Sequence, residues 1–231
     1  QRVNITGSAE VDDRRLLLDL DGRLGARDRV ALLVDAEPDG DDFDLALDAS
    51  AAADGPIAAL AGLDAPLDMR VRGDGTWTQW DGALLVRSED ERVAALQLTN
   101  RAGRFGLLGT VDPTVFLTGL PAEALGDKVA LKGDIAIDNR VFDGTAIVAG
   151  RKVSLSAEGL VDLADNRADD LEMVVRVRDP AVLGDGFALR DTRLTATLDG
   201  SFDDLAIAHE ARVGDLDIGG TVLTRLRQEG T

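Results

Sequence analysis

Four segments between Lys128 and Arg178 decide the fold: KVALKGDIAID (128–138), NRVFDGTAIVAG (139–150), RKVSLSAEGLVDL (151–163) and DLEMVVRVR (170–178). In the first, Val129, Leu131, Gly133, Ile135 and Ile137 alternate with Lys128, Ala130, Lys132, Asp134, Ala136 and Asp138. In the last, Leu171, Met173, Val175 and Val177 alternate with Glu172, Val174, Arg176 and Arg178. Side chains on a strand point to opposite faces with a period of two. These segments therefore read as strands with one apolar and one mostly polar face.

The rest of the chain repeats this grammar. Toward the N-terminus, Val3 to Val11, Leu16 to Leu20, Val30 to Val34 and Phe43 to Ala49 each alternate. Asp21-Gly22 reads as a turn, and EPDGDD as a loop. The run SAAADGPIAALAGLDAPL breaks the pattern. Pro56 suits the first turn of a short helix there, with Asp54 as its cap, Ile57 and Leu60 at helical spacing, and Gly62 past its end. Alternation resumes from Leu67 to Val71, Trp80 to Val86, Leu96 to Leu98 and Phe105 to Val111, with a hairpin signal at Asp74-Gly75. Two more interruptions follow, one from Asp112 to Gly126 containing PAEAL, the other DPAVLGDG from Asp179 to Gly186. Leu194 to Leu198 and Leu205 to Ile207 form a pair with a turn signal at Asp199-Gly200, and Leu216, Ile218 and Val222 close the chain. The expectation is fourteen to sixteen antiparallel strands joined by short turns, in one continuous domain over residues 1–231.

Composition narrows the function. The chain has 231 residues, no cysteine, and a formal net charge of -18. A surface that acidic repels nucleic-acid phosphates, so nucleic acid is excluded as a partner, and anionic headgroups are repelled by the same face. No run approaches the ~20 apolar residues of a membrane-crossing helix. Aromatics are 3% with no Tyr, so the interfacial girdles of a transmembrane barrel are missing. The opening QRVNITGSAEV has no secretory pattern and begins inside a strand, as an internal segment of a longer chain would.

Catalytic and metal signals are weak. His209 is the single histidine, and beside Glu210 on an alternating segment it reads as a strand residue rather than a base. No GxSxG elbow occurs, and no second His or Cys completes a triad or a metal set. DAEPDG at 35–40 resembles the start of an EF-hand loop, but Ala46 stands where the bidentate Glu is needed and the flanks are strands. Asp39, Asp41, Asp42 and Asp44 read as a solvated acidic loop. The expectation is no enzyme, no metal and no cofactor.

The apolar face itself is the remaining candidate. Gly and Ala recur on it, at Gly7, Ala9, Gly82, Gly133, Gly144, Ala146 and Ala157, where a packed core wants volume. Alternation is the same in a closed sandwich and in an open gutter, so both remain open on pattern alone. The cadence of apolar strand, turn, GDIAID, turn, FDGTAIVAG, with interruptions such as LTGLPAEALGD and RDPAVLGD, resembles the AsmA-like superfamily and the TamB-like proteins within it. The resemblance implies a long antiparallel meander curled into an open, U-shaped repeating β-groove, or β-taco, in the periplasm, tied to the inner membrane in the full-length protein. It further implies phospholipid acyl chains as cargo, moved toward the outer membrane, with a TamA-like outer-membrane barrel as a partner of other parts of the chain. The apolar positions that would line such a groove are Val3, Ile5, Leu16, Leu18, Leu20, Val30, Leu32, Val34, Phe43, Leu45, Leu47, Leu84, Val86, Val129, Leu131, Ile135, Ile137, Val153, Leu155, Leu171, Met173, Val175, Val177, Leu194 and Leu198. Two other readings stand beside it: a scaffold for outer-membrane protein assembly, and an acidic extracellular adhesive β domain.

Overall fold

The computed structural model describes residues 3–12, 14–37, 39–61 and 65–231. The fold is an all-β antiparallel meander in two compact units, Gln1–Phe116 and Leu117–Thr231. The first holds β1 (Val3–Asp12), β2 (Arg15–Leu24), β3 (Asp28–Glu37), β4 (Asp42–Ala51), β5 (Leu67–Gly75), β6 (Gln79–Ser88), β7 (Glu91–Arg101) and β8 (Arg104–Val111). The second holds β9 (Val129–Asp138), β10 (Val141–Ala149), β11 (Val153–Asp162), β12 (Arg167–Val177), β13 (Phe187–Ser201), β14 (Asp204–Ile218) and β15 (Thr221–Gly230). Within each unit, every strand pairs antiparallel with its neighbours in sequence. β1 pairs only with β2 and β15 only with β14, so neither closes a barrel.

Tight turns set this order. Glu89-Asp90, Ala102-Gly103, Asn139-Arg140 and Gly219-Gly220 all have positive φ at both residues. That is the type I′ geometry, whose twist matches that of the strands it joins. Three expected turns lie elsewhere. Asp21-Gly22 is inside β2, and the chain reverses instead at Gly25, whose φ is 67°. Asp74-Gly75 ends β5, and the turn is Thr76 to Thr78, where the Thr76 hydroxyl accepts from the Gln79 N–H at 2.8 Å. Asp199-Gly200 is inside β13, with the reversal at Phe202 and Asp203. At Asp21-Gly22 and Asp199-Gly200 the cross-strand ladder continues past the Asp-Gly pair, to Leu24 and Ser201, so ladder bonds outweigh a local turn preference, whereas at Asp74-Gly75 the ladder ends on the pair Gly75 and Trp80.

A helical interruption follows every fourth strand: α1 (Pro56–Ala61) after β4, a 3₁₀ turn at Pro113–Val115 and α2 (Leu120–Leu125) after β8, and a 3₁₀ turn at Pro180–Leu183 after β12. Each opens on a carboxylate. Asp112 accepts from Thr114 N and Asp179 from Ala181 N, both at 2.9 Å. For α1 the carboxylate is Asp28, not the expected Asp54. Asp28 is 1% exposed and accepts from Ala52 N at 2.9 Å and Ile57 N at 2.8 Å. Asp54 instead pairs with Arg27 at the surface. Gly55 is required there, because a Cβ would stand inside the Asp28 carboxylate. Leu60's side chain and Gly62 lie outside the described residues. In the second unit α2 is latched to the β10–β11 turn, its Leu125 and Ala124 carbonyls accepting from Arg151 N and Lys152 N at 2.8 and 2.9 Å.

Neither unit by itself is a sandwich among the described residues. Among the described residues only nine apolar ones are fully buried, none larger than valine. The accessible surface is 14504 Å². Two compact domains of half this mass, held apart, would expose about 12,000 Å² together. Each unit, taken by itself, is therefore a single-layer sheet, with no second layer of its own on the apolar side among the described residues.

Asp28→Ala should lower the unfolding free energy by about 2–4 kcal/mol, since two buried N–H groups lose a charged acceptor. Asp54→Ala should cost less than about 1 kcal/mol, as an exposed ion pair does. Denaturant titration of the two variants checks the contrast.

Candidate functional site

Directly opposed residues on antiparallel strands present their side chains on the same face. Following the register across the first unit, Ile5, Gly22, Val30, Ala49, Met69, Val86, Ala94 and Val111 form one row. Gly7, Leu20, Leu32, Leu47, Val71, Leu84, Leu96 and Gly109 form the next, and Ala9, Leu18, Val34, Leu45, Gly73, Gly82, Leu98 and Leu107 a third. Val11, Leu16, Ala36 and Phe43 lie beyond these, and Val3 and Leu24 at the other margin beside Asp28. A row across eight strands is roughly 34 Å long at about 4.8 Å per strand.

The second unit is built the same way. Leu131, Val148, Leu155, Val175, Leu194 and Ala211 form one row, and Gly133, Ala146, Ala157, Met173, Ala196 and His209 another. Ile135 opposes Gly144, Ile137 opposes Phe142, Val153 opposes Val177, and Leu171 opposes Leu198. Val129 begins β9 on this face and is buried. Every residue assigned to a groove lining from sequence thus falls on one face of its own unit.

Most interior positions of this face, such as Leu32, Leu47, Val71 and Leu84, are half-buried. Their flanks are covered by neighbours in the row and their tips face solvent. On β1 the same face is open, with Val3, Ile5 and Val11 at 60%, 62% and 78% exposure. Monomers rarely leave apolar surface of this extent uncovered unless it binds something. Burial of lateral flanks alone leaves each tip worth about 25 cal/mol per Å² to any apolar molecule that covers it.

An aromatic group stands on the first unit's face. Trp80 opposes Gly75 and Asn100, and its six-membered ring lies over Gly73 and Gly82. Phe43 sits 4.4 Å from Trp77 and 6.3 Å from Trp80, centroid to centroid. Trp80 Nε1 is buried and has no hydrogen-bond partner among the described residues, which costs about 1–3 kcal/mol. The sequence offered no signal for this beyond the spacing of the glycines.

The reverse face carries the charge. Arg15 pairs with Asp35, Arg70 and Arg72 with Asp48, Arg101 with Asp81, and Arg212 and Arg227 with Glu210. The Arg72 and Arg70 guanidiniums hold the Asp48 carboxyl below the usual carboxylate range, as Arg212 and Arg227 do for Glu210. A depression of about 570 Å³ on this side is lined by Asp21, Arg29, Asp48, Ser50, Arg70 and Arg87 among others. A twisted sheet is concave along one diagonal on either face, and mixed charges give an apolar ligand no reason to settle there. Apolar side chains interrupt this face at Leu17, Leu33, Leu85, Leu108, Ile147 and Val174, and Leu33, Leu108 and Ile147 are 43%, 54% and 41% exposed.

His209 is on the apolar face, exposed, with its Nε2 3.0 Å from the Gln228 amide nitrogen. Among the described residues no group of three or more His, Cys, Asp or Glu is placed to hold a metal ion. Comparison with family models, with curated proteins and with solved structures returns no match.

Because Asp48 stays ionised in the folded chain at a pH where an unfolded Asp takes up a proton, its pairing stabilises the fold fully above about pH 4. That contribution disappears as pH falls through the lower folded-state value. Asp48→Asn should therefore be less stable than the wild type at pH 7, and the gap should narrow in acid. Denaturation midpoints from pH 7 to pH 2.5 measure it.

Proposed function

We propose that this chain is a segment of a bridge-like lipid-transfer protein of the AsmA-like, TamB-like kind, whose apolar face carries phospholipid acyl chains in the periplasm. The observation that carries the reading is the single-layer apolar face of each unit, its rows unbroken from strand to strand and, among the described residues, without a layer of the same unit packed over it. Each row in the first unit is longer than an extended acyl chain. Each methylene moved from water onto these Leu, Val and Ile side chains gains about 0.8 kcal/mol. Headgroups remain in water at the open side, where no residue is asked to recognise them.

Aliphatic walls without polar anchors suit cargo that must keep moving. The acidic reverse face repels anionic membrane surfaces and leaves the apolar side as the one that meets lipid. Catalysis has no part in this, and neither a metal nor a cofactor is called for. The full-length protein would be anchored in the inner membrane and meet a TamA-like barrel at the outer one.

Photocrosslinkers at Ile135, on the apolar face, should capture phospholipid, and at Lys132, on the reverse face, should not. Val175→Arg or Ile135→Asp should displace about three methylenes, costing roughly 2.4 kcal/mol or about fiftyfold in bound lipid, while Arg176→Glu should be neutral. Native mass spectrometry of purified protein reads the occupancy. Equal crosslinking at both positions refutes the reading. Loss of function from a proline in β1, with Val175→Arg harmless, favours a scaffold on which client strands pair.

A further inference from the structure

We infer that Trp80 is a movable stop in the apolar face of the first unit: it closes a slot over Gly73 and Gly82 that admits a lipid acyl chain once the indole swings out. The inference rests on the lipid reading above and narrows it to one place. Gly73 and Gly82 are directly opposed, the one such glycine pair on this face among the described residues of the unit. The register puts Leu45 and Leu98 on either side of the pair, and Val71 and Leu84 in the adjoining row. The space is thus a slot one ring thick, with a backbone floor and aliphatic sides. It has no polar group to seat a headgroup. A methylene chain is about as thick as the ring that now fills it.

One group of the tenant is unmet in the slot. Trp80 Nε1 finds no acceptor there, so leaving for a wetter position satisfies a group that the slot does not. Phe43 lies within aromatic contact range of both indoles, so a rotation toward Phe43 and the exposed Trp77 keeps the ring against apolar surface. Gly144 and Gly159 form a matching opposed pair in the second unit, where the atoms nearest to each are backbone. The two places differ in the indole, and in the backbone of Gly159, whose φ is 145° at a register shift of the ladder.

The only tryptophans are Trp77 and Trp80, so fluorescence of a Trp77→Phe chain reports on the stop alone. Incubated with dioleoyl phosphatidylcholine vesicles, this variant should shift its emission to the red. With vesicles of the chain-dibrominated lipid it should lose most of its emission. Gly73→Ala in the same background places a methyl group where the ring lies, at a residue with ordinary φ, and should give red-shifted emission without lipid while circular dichroism is unchanged. Emission indifferent to bromination while native mass spectrometry shows bound phospholipid overturns the stop and leaves the lipid reading intact. A Gly73→Ala spectrum identical to that of its parent also overturns the stop. Absence of bound phospholipid from the native spectrum overturns both.

Discussion

The hydrogen-bond ladder between consecutive strands carries this fold, because little else is available to do so. Globular domains draw most of their stability from a core in which large side chains lose all contact with water. Here Ala36, Ala51, Ala58 and Val129 are typical of what is fully enclosed. Leu, Ile and Phe gain only the lateral part of their burial, from neighbours in the same row. Regular register therefore matters more than shape complementarity. It keeps apolar side chains in unbroken rows, and a slip of one residue in any strand would invert its two faces.

A sheet of this kind needs its two faces to do different work. The reverse face offers arginines bridging carboxylates across strands, as Arg70 and Arg72 do around Asp48. Exposed pairs of this type add little stability each. Their larger contribution is to keep neighbouring acids on adjacent strands tolerable while the chain retains a net charge of -18. Like charge of that size makes copies of the chain repel one another. Solubility on one side thus allows greasiness on the other.

Strand existence and facing were legible in the sequence, because alternation is a direct image of side-chain direction. Leu171, Met173, Val175 and Val177 share a face for the same reason they alternate with Glu172 and Arg176. Turns were less legible. Asp21-Gly22 and Asp199-Gly200 carry the composition of a hairpin but sit within ladders that run past them. The role of Asp28 was hidden, since its partners Ala52 and Ile57 are distant in sequence and become neighbours only through pairing of β3 with β4. Trp80 was hidden likewise: two glycines on different strands make room for its ring, and no single strand shows the pair. Whether a second layer covers the apolar rows is also unreadable from alternation, because either arrangement asks for the same pattern.

The regular placing of interruptions has a bearing on how such a chain changes length. Four is an even number, so a block of four strands with its helical connector returns the chain to the end it started from, travelling in the same direction. Inserting or removing a whole block leaves every later strand with its greasy side where it was. A block of three or five would reverse the direction of all that follows and leave the next connector at the wrong margin. Duplication by blocks is thus the mutational step that lengthens the sheet without re-writing it, and stability in such arrays grows block by block rather than through one shared centre.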